Sequence, residues 1–191
     1  QESFFVQDAS GAIRVKGHKQ TGINVGDTLE LVGFPPGKEQ AGTLTEPHWR
    51  VASNSQPVSP RELEFNVEQP FNQLGILVQV SGNLLSLRTN GSNQILELQE
   101  QHRIFTAVST TSSGRFPDLI PGSRLQITGV CYDEAALAVP DPEKLHKSQP
   151  LASINLLLRT PQDVKLLHGP PWWTWRRTAS LVGLLFLVIM V

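Results

Sequence analysis

The sequence predicts an all-β chain of two small closed Greek-key barrels in tandem, the first lacking its first strand, followed by the start of a C-terminal transmembrane α-helix. Three observations predict this. Gly26-Asp27-Thr28-Leu29-Glu30-Leu31-Val32-Gly33 recurs 96 positions later, where Gly26, Leu29, Leu31 and Gly33 become Gly122, Leu125, Ile127 and Gly129. Short alternating segments bounded by Gly, Pro and Asn surround both copies, the pattern of strands and turns. The chain closes on Leu181 to Val191, which is apolar and uncharged throughout. Matched apolar positions at one offset mark a duplicated module, and two copies are too few for a solenoid. Each copy reads as a turn glycine, a strand alternating inward Leu29/Leu31 or Leu125/Ile127 with outward polar residues, and a glycine that lets the chain bend away.

The 191 residues suffice for two small domains. A formal net charge of -1 gives no electrostatic case for a nucleic-acid partner, which usually meets a basic excess. The single cysteine, Cys131, excludes an intrachain disulfide, argues against a thiolate metal site, and reads as a buried structural thiol. The apolar C-terminal run is about half of the ~20 residues a spanning helix needs and is still apolar at its last residue, so it reads as the beginning of a span. A soluble helix of that composition would need burial on every side. The domain reading is 1–56 for the first module, 57–70 for a linker, 71–168 for the second module, 169–173 for a connector and 174–191 for a truncated membrane helix.

In order, Gln1 to Asp8 opens as a strand, Asp8-Ala9-Ser10-Gly11 turns it, and Ala12 to Lys16 returns as the second arm of a hairpin. The repeated strand follows and ends at Phe34-Pro35-Pro36, since proline cannot continue a central ladder. Thr43 to Thr45 and Trp49 to Ala52 read as closing strands. Ser53 to Pro60 is a linker by composition, and Arg61 to Gln69 reads as either a short helix or extended chain. Leu74 to Leu87 is a long strand or a bent pair, and Asn90-Gly91 is a hairpin signal. Gln94 to Leu98 and Arg103 to Val108 are its partners. Thr110 to Pro121 is a polar crossing with a short helical turn at Phe116 to Ile120. After the second copy of the repeat and a Pro-rich loop, Ile154 to Arg159 closes the module. Five strands with a crossing between the third and fourth is the order of an OB-like barrel. Phe4 to Val6 aligns with Ile95 to Leu98, so nothing in the first module matches Leu74 to Leu87 and its first strand is expected upstream of residue 1.

No constellation carries chemistry, and the expectation is no catalytic, cofactor-binding or metal residue. Gly33-Phe34-Pro35-Pro36-Gly37-Lys38-Glu39 fails as a P-loop: three residues separate the glycines, Glu39 follows the lysine, and the prolines supply no N–H to a phosphate. His18, His48, His102, His146 and His168 have no partner at ligand spacing. Arg14, Lys16, His18 and Lys19 beside Phe4 and Phe5 could form a stacking groove for single strands, but the second module has no matching cluster, so a solvated face is the reading. Trp172, Trp173 and Trp175 just ahead of the apolar run read as a membrane-interface belt, and Pro170-Pro171 as a stiff connector.

Phe5-Val6-Gln7-Asp8-Ala9-Ser10-Gly11, Val32-Gly33-Phe34-Pro35, Leu77-Val78-Gln79-Val80-Ser81-Gly82, Pro121-Gly122-Ser123-Arg124-Leu125, and the exit Leu158-Arg159-Thr160-Pro161-Gln162-Asp163-Val164 with Pro170-Pro171-Trp172-Trp173-Thr174 resemble the OB-like region found outside the membrane in large bacterial sensor histidine kinases. The resemblance covers nearly the whole chain. It implies a non-catalytic sensory or scaffolding region of a two-component signal transduction protein, with its barrels in the periplasm or outside the cell and one membrane helix. It further implies a homodimer made through the full-length kinase and an envelope ligand or protein as partner, with no cofactor. The rival readings are a membrane-tethered OB module that binds single-stranded nucleic acid or oligosaccharide, and an envelope assembly protein.

Overall fold

The computed structural model describes residues 2–17, 22–35, 42–53, 58–63, 74–132 and 155–170. Strands β1 (Glu2–Gln7) and β2 (Ala12–Gly17) form an antiparallel hairpin. Asp8 makes its turn, accepting from the N–H and hydroxyl of Ser10 and from the N–H of Gly11. Strands β3 (Thr28–Phe34) and β4 (Thr43–Ser53) pair antiparallel, and β4 lies parallel to β2, giving a four-stranded sheet ordered β1-β2-β4-β3.

The two closing strands read from the sequence are one strand here. Pro47 sits inside β4 because the ladder is bulged there: Glu46 takes φ 49°, and the register shifts between Val32 and Phe34. A bulge leaves a residue unpaired, so proline's missing donor removes nothing further.

The second sheet contains β5 (Arg61–Glu62), β6 (Leu77–Asn90), β7 (Asn93–Glu100), β8 (Arg103–Thr110), β9 (Arg124–Tyr132), β10 (Asn155–Leu157) and β11 (Val164–His168). Pairing runs from β6 to β7 to β8, then in parallel to β10, then antiparallel to β9 and back to β6. That circuit is a closed five-stranded barrel of OB-type order. One 14-residue strand, β6, serves two partners: residues 77–83 lie on β9 and residues 83–90 on β7, with a register shift between Leu84 and Ser86. The sequence left open a strand or a bent pair; the answer is one strand that coils around a corner.

Inward positions fill the barrel. Leu96, Leu98, Phe105, Ala107, Leu125, Ile127 and Leu156 are fully buried, and Cys131 is buried with them. The crossing from β8 to β9 starts with a 3-10 turn at Thr111–Ser113, and Phe116 to Ile120 is irregular rather than the helical turn expected. Phe116 instead buries as part of the core, held by Gln94: Nε2 donates to Gly114 O at 2.7 Å, and Oε1 accepts from the Phe116 N–H at 3.2 Å. One carboxamide thus satisfies two backbone groups that burial would otherwise strand.

The stretch read as linker is partly docked. Its residues Arg61–Glu62 pair in parallel with β6, the Leu63 N–H donates to Gln79 O, and Leu63 buries in the barrel core.

Both glycines of the repeat have the same structural reason in both copies. Gly26 and Gly122 stand at φ 98° and 90°, the left-handed region that glycine enters freely. A Cβ on Gly33 would lie 2.7 Å from Leu44 Cγ and 2.9 Å from Thr45 O; one on Gly129 would lie 3.0 Å from Leu157 O. At Gly33 the next strand crosses closer than a Cβ contact allows, and at Gly129 it crosses so close that a side chain would need its neighbours to give way.

Candidate functional site

The four-stranded sheet abuts the barrel at one corner. The Leu77 N–H donates to Gln7 Oε1 at 2.7 Å, tying the start of β6 to the end of β1. Beside it, a Cβ on Gly75 would lie 2.9 Å from Ala12 Cβ and 3.5 Å from Phe5 Cδ1, so this glycine admits the hairpin against the barrel. Next to this contact a cleft of about 340 Å³ opens between β1 and the approach to β3, and reaches Leu77, Val130, Leu157 and Leu158 of the barrel.

Its walls come from adjacent residues with opposite orientations. Phe4 pairs with the buried Val15 and meets Trp49 edge-on, centroids 5.8 Å apart, inside the first sheet. Phe5 faces the other way, toward Gly75 and under the Arg14 guanidinium, 6.0 Å from its centroid. Strand alternation therefore gives each ring its own side. Arg14 donates through Nε and Nη2 to the Ser3 hydroxyl, and burial lowers its pKa from the ordinary value.

The polar groups on the cleft are largely engaged. The Asn24 N–H donates to Asp27 Oδ2 at 2.8 Å, closing the turn before β3. Arg159 forms an ion pair with Asp163 at 2.8 Å and also donates its backbone N–H to that carboxylate. The lining holds one acid, Asp27, and one base, Arg159, with no histidine, cysteine, lysine or tyrosine among the described residues. Such a cleft offers shape and apolar surface rather than a proton-transfer pair. Among the described residues no three His, Cys, Asp or Glu side chains converge as metal ligands.

Of the site residues expected from the sequence, Pro170 is described and half-buried just beyond β11. Pro171, Trp172, Trp173 and Trp175, and the membrane helix read over 174–191, lie outside the described residues. No described helix is long and apolar enough to cross a membrane. Of the basic face, Arg14 packs on Phe5, while His18 and Lys19 lie outside the described residues. The cleft itself was not anticipated. Its signal is the unbroken run Phe4-Phe5-Val6: a strand apolar on successive residues is covered on both faces.

No protein-family model and no curated protein matches the chain. Among solved structures, a putative aspartyl-tRNA synthetase from Leishmania major Friedlin matches at 10% identity and TM-score 0.42, covering 64% of this chain and 24% of that one. The OBody AM3L09, solved bound to hen egg-white lysozyme, matches at 16% identity and TM-score 0.39, covering 58% of this chain and 99% of its own. Asparaginyl-tRNA synthetase from Pyrococcus horikoshii, complexed with asparaginyl-adenylate, matches at 11% identity and TM-score 0.36, covering 53% of this chain and 21% of that one. The OB-type assignment rests on the strand circuit described above.

Proposed function

We propose that this chain is a non-catalytic sensory or scaffolding region of a bacterial two-component sensor histidine kinase, lying outside the cell membrane and relaying a signal through one membrane helix. In this reading it is a tandem of two OB-like units, the first missing its first strand. The observation that supports a relay is the exit strand. β11 is zipped onto β9 from Val164↔Ile127 to His168↔Arg124, immediately before Gly169-Pro170. A 3-10 turn at Pro161–Asp163 leads into it, fixed by a capping box between Thr160 and Asp163. The last described residues thus move with the barrel wall. Two prolines fix φ and restrict the residue before them, so a change in barrel orientation reaches the downstream helix as tilt, rotation or shift.

The test replaces Pro170-Pro171 with Gly-Gly in the full-length protein and measures autophosphorylation and barrel folding separately. Reduced or deregulated output with the barrel intact is expected, because a Gly-rich link absorbs motion. Unchanged output with intact folding would refute the stiff relay.

The closed OB-type barrel keeps one second reading in view, a tethered module that binds single-stranded nucleic acid or oligosaccharide. Fluorescence anisotropy with labelled oligonucleotides distinguishes the two: the relay reading expects Kd above roughly 10 μM. Tight binding with a steep salt slope would favour the second.

A further inference from the structure

We propose that the Gln7 side chain is a reversible latch: it holds the β1–β2 hairpin in one orientation on the barrel, and its opening frees the first unit to swing while both units stay folded. This goes beyond the signalling reading and does not depend on it.

The latch closes on a strand edge that the barrel itself leaves open. β6 lies on β9 over residues 77–83 and meets β7 only from residue 83 onward. Over residues 77–82 the edge turned away from β9 therefore has no partner among the barrel strands, and its backbone groups must be satisfied from elsewhere. β5 covers part of this edge in parallel, at Val78 and Gln79, and the Leu63 N–H donates to Gln79 O. Nearer the start of β6, the Leu77 N–H donates to Gln7 Oε1 at 2.7 Å, across 70 positions of sequence. A side-chain carbonyl stands there in place of a neighbouring strand's carbonyl.

The apolar contact around it is small. Ala12, paired with Gln7 across the hairpin, packs on the barrel core, and Gly75 receives it: a Cβ there would lie 2.9 Å from Ala12 Cβ. Gly75 stands at φ 81°, a region that glycine enters freely, and its N–H donates to Cys131 O, so the receiving point is fixed to the end of β9. Glycine against alanine buries little apolar area. The interiors stay separate, since Val15, fully buried in the first sheet, is not part of the barrel's core cluster. Units joined without a large apolar interface move relative to one another, and one hydrogen bond shifts such a balance by up to about tenfold.

The latch also bears on the exit of the chain. Leu77 pairs with Val130, and the exit strand β11 starts on the same β9 at Ile127, opposite Val164. Closing the latch therefore fixes the first unit relative to the strand that carries the exit. A carboxamide suits this role: it accepts from the Leu77 N–H without bringing a charge to a half-buried seat beside Phe5 and Leu77.

The test measures residual dipolar couplings of the amides in a weakly aligned sample of the 191-residue chain. The proposal expects β1–β2 and β7–β8 to fit one alignment in the unsubstituted chain and to need two in Gln7→Leu, which removes the acceptor at similar volume. Gln7→Glu keeps an acceptor and should keep one alignment. Ala12→Glu crowds Gly75 from the hairpin side and should need two, which keeps the test decisive if Gln7→Leu misfolds. In the unsubstituted chain the Leu77 amide should exchange at least about tenfold faster than the β6 amides bonded to β9, because opening the latch is not global unfolding. Four results overturn it. The unsubstituted chain could already need two alignments. Gln7→Leu could fold and keep one. Leu77 could exchange no faster than the slowest β6 amides. Gln7→Leu and Ala12→Glu could each unfold both units together, which makes the contact part of a single core.

Discussion

Replacing each close-approach glycine of the repeat by alanine tests whether the duplicated motif is structural and whether the two units are separate. At Gly33 the new methyl would sit 2.7 Å from Leu44 Cγ and Cδ2 and 2.9 Å from Thr45 O. At Gly129 it would sit 3.0 Å from Leu157 O, 3.1 Å from Leu158 Cδ2 and 3.2 Å from Leu156 Cβ. Neither residue has a positive φ, so backbone strain does not enter and the contacts decide the sign. Alanine gains about 0.4–1 kcal/mol by restricting the unfolded chain. Overpacking a tight site costs about 1–3 kcal/mol, and the neighbours here include backbone oxygens that cannot rotate aside. The net expectation is about 1–2 kcal/mol of destabilisation at each site, with G33A the worse because its contacts are shorter.

Gly11 is the control, because nothing lies within 4 Å of its Cβ position and its φ is not positive. G11A should be neutral or slightly stabilising. The assay is urea unfolding of the three variants followed by amide exchange, which assigns each loss to a unit. G33A should loosen β1 to β4 and leave the barrel amides unchanged, and G129A the reverse. A stabilised G129A would refute the close-approach argument, and uniform loosening by either variant would refute independence of the two units.

Three further outcomes follow from particular contacts. Gln94→Ala leaves Gly114 O and the Phe116 N–H without their partner and should cost about 1–3 kcal/mol, read as a lower denaturation midpoint. Glu30 and Arg50 pair at 2.7 Å with side chains 60% and 76% exposed, so a double-mutant cycle should find under about 1 kcal/mol of coupling. Asp8 has its pKa lowered from 3.8, first by the Ser10 hydroxyl and then by the N–H groups of Ser10 and Gly11. A group whose folded pKa is depressed gives stability that is present above its unfolded value and lost as pH falls through the folded one. The β1–β2 turn should therefore be indifferent to pH above about 4 and loosen below it, and Asp8→Asn should remove that dependence in an NMR titration.

The fold was legible where the constraint was local. The Asp8 turn, the left-handed Gly91 and the alternation of Leu125 and Ile127 each depend on a few neighbouring residues, and each appears where the pattern placed it. Legibility failed where a distant strand overrides the local signal. Thr43 to Thr45 and Trp49 to Ala52 read as two strands, yet the bulge at Glu46, set by pairing with β3, carries one strand through Pro47. Phe116 looked like part of a helical turn, but the open end of a barrel built from residues far along the chain draws it inward. Asp163 to Leu167 reads as a segment lying against the second barrel, which it does; that it does so as a strand is set by the edge β9 offers.

The cleft belongs to the same class, because positions matched in the repeat are not matched in burial. Leu29 and Leu31 carry the same inward pattern as Leu125 and Ile127, so the sequence assigns them the same role. Yet Leu125 and Ile127 are fully buried while Leu29 and Leu31 are half-buried. A pattern states which face a residue turns inward; only the neighbouring strand determines whether that face is covered. In the barrel β6 covers Leu125 and Ile127, whereas among the described residues no strand pairs with the second edge of β3, and Leu29 lines the cleft. The cleft also touches Leu157 and Leu158, directly before the turn that leads into β11, so packing in it bears on the point where the chain leaves the barrel.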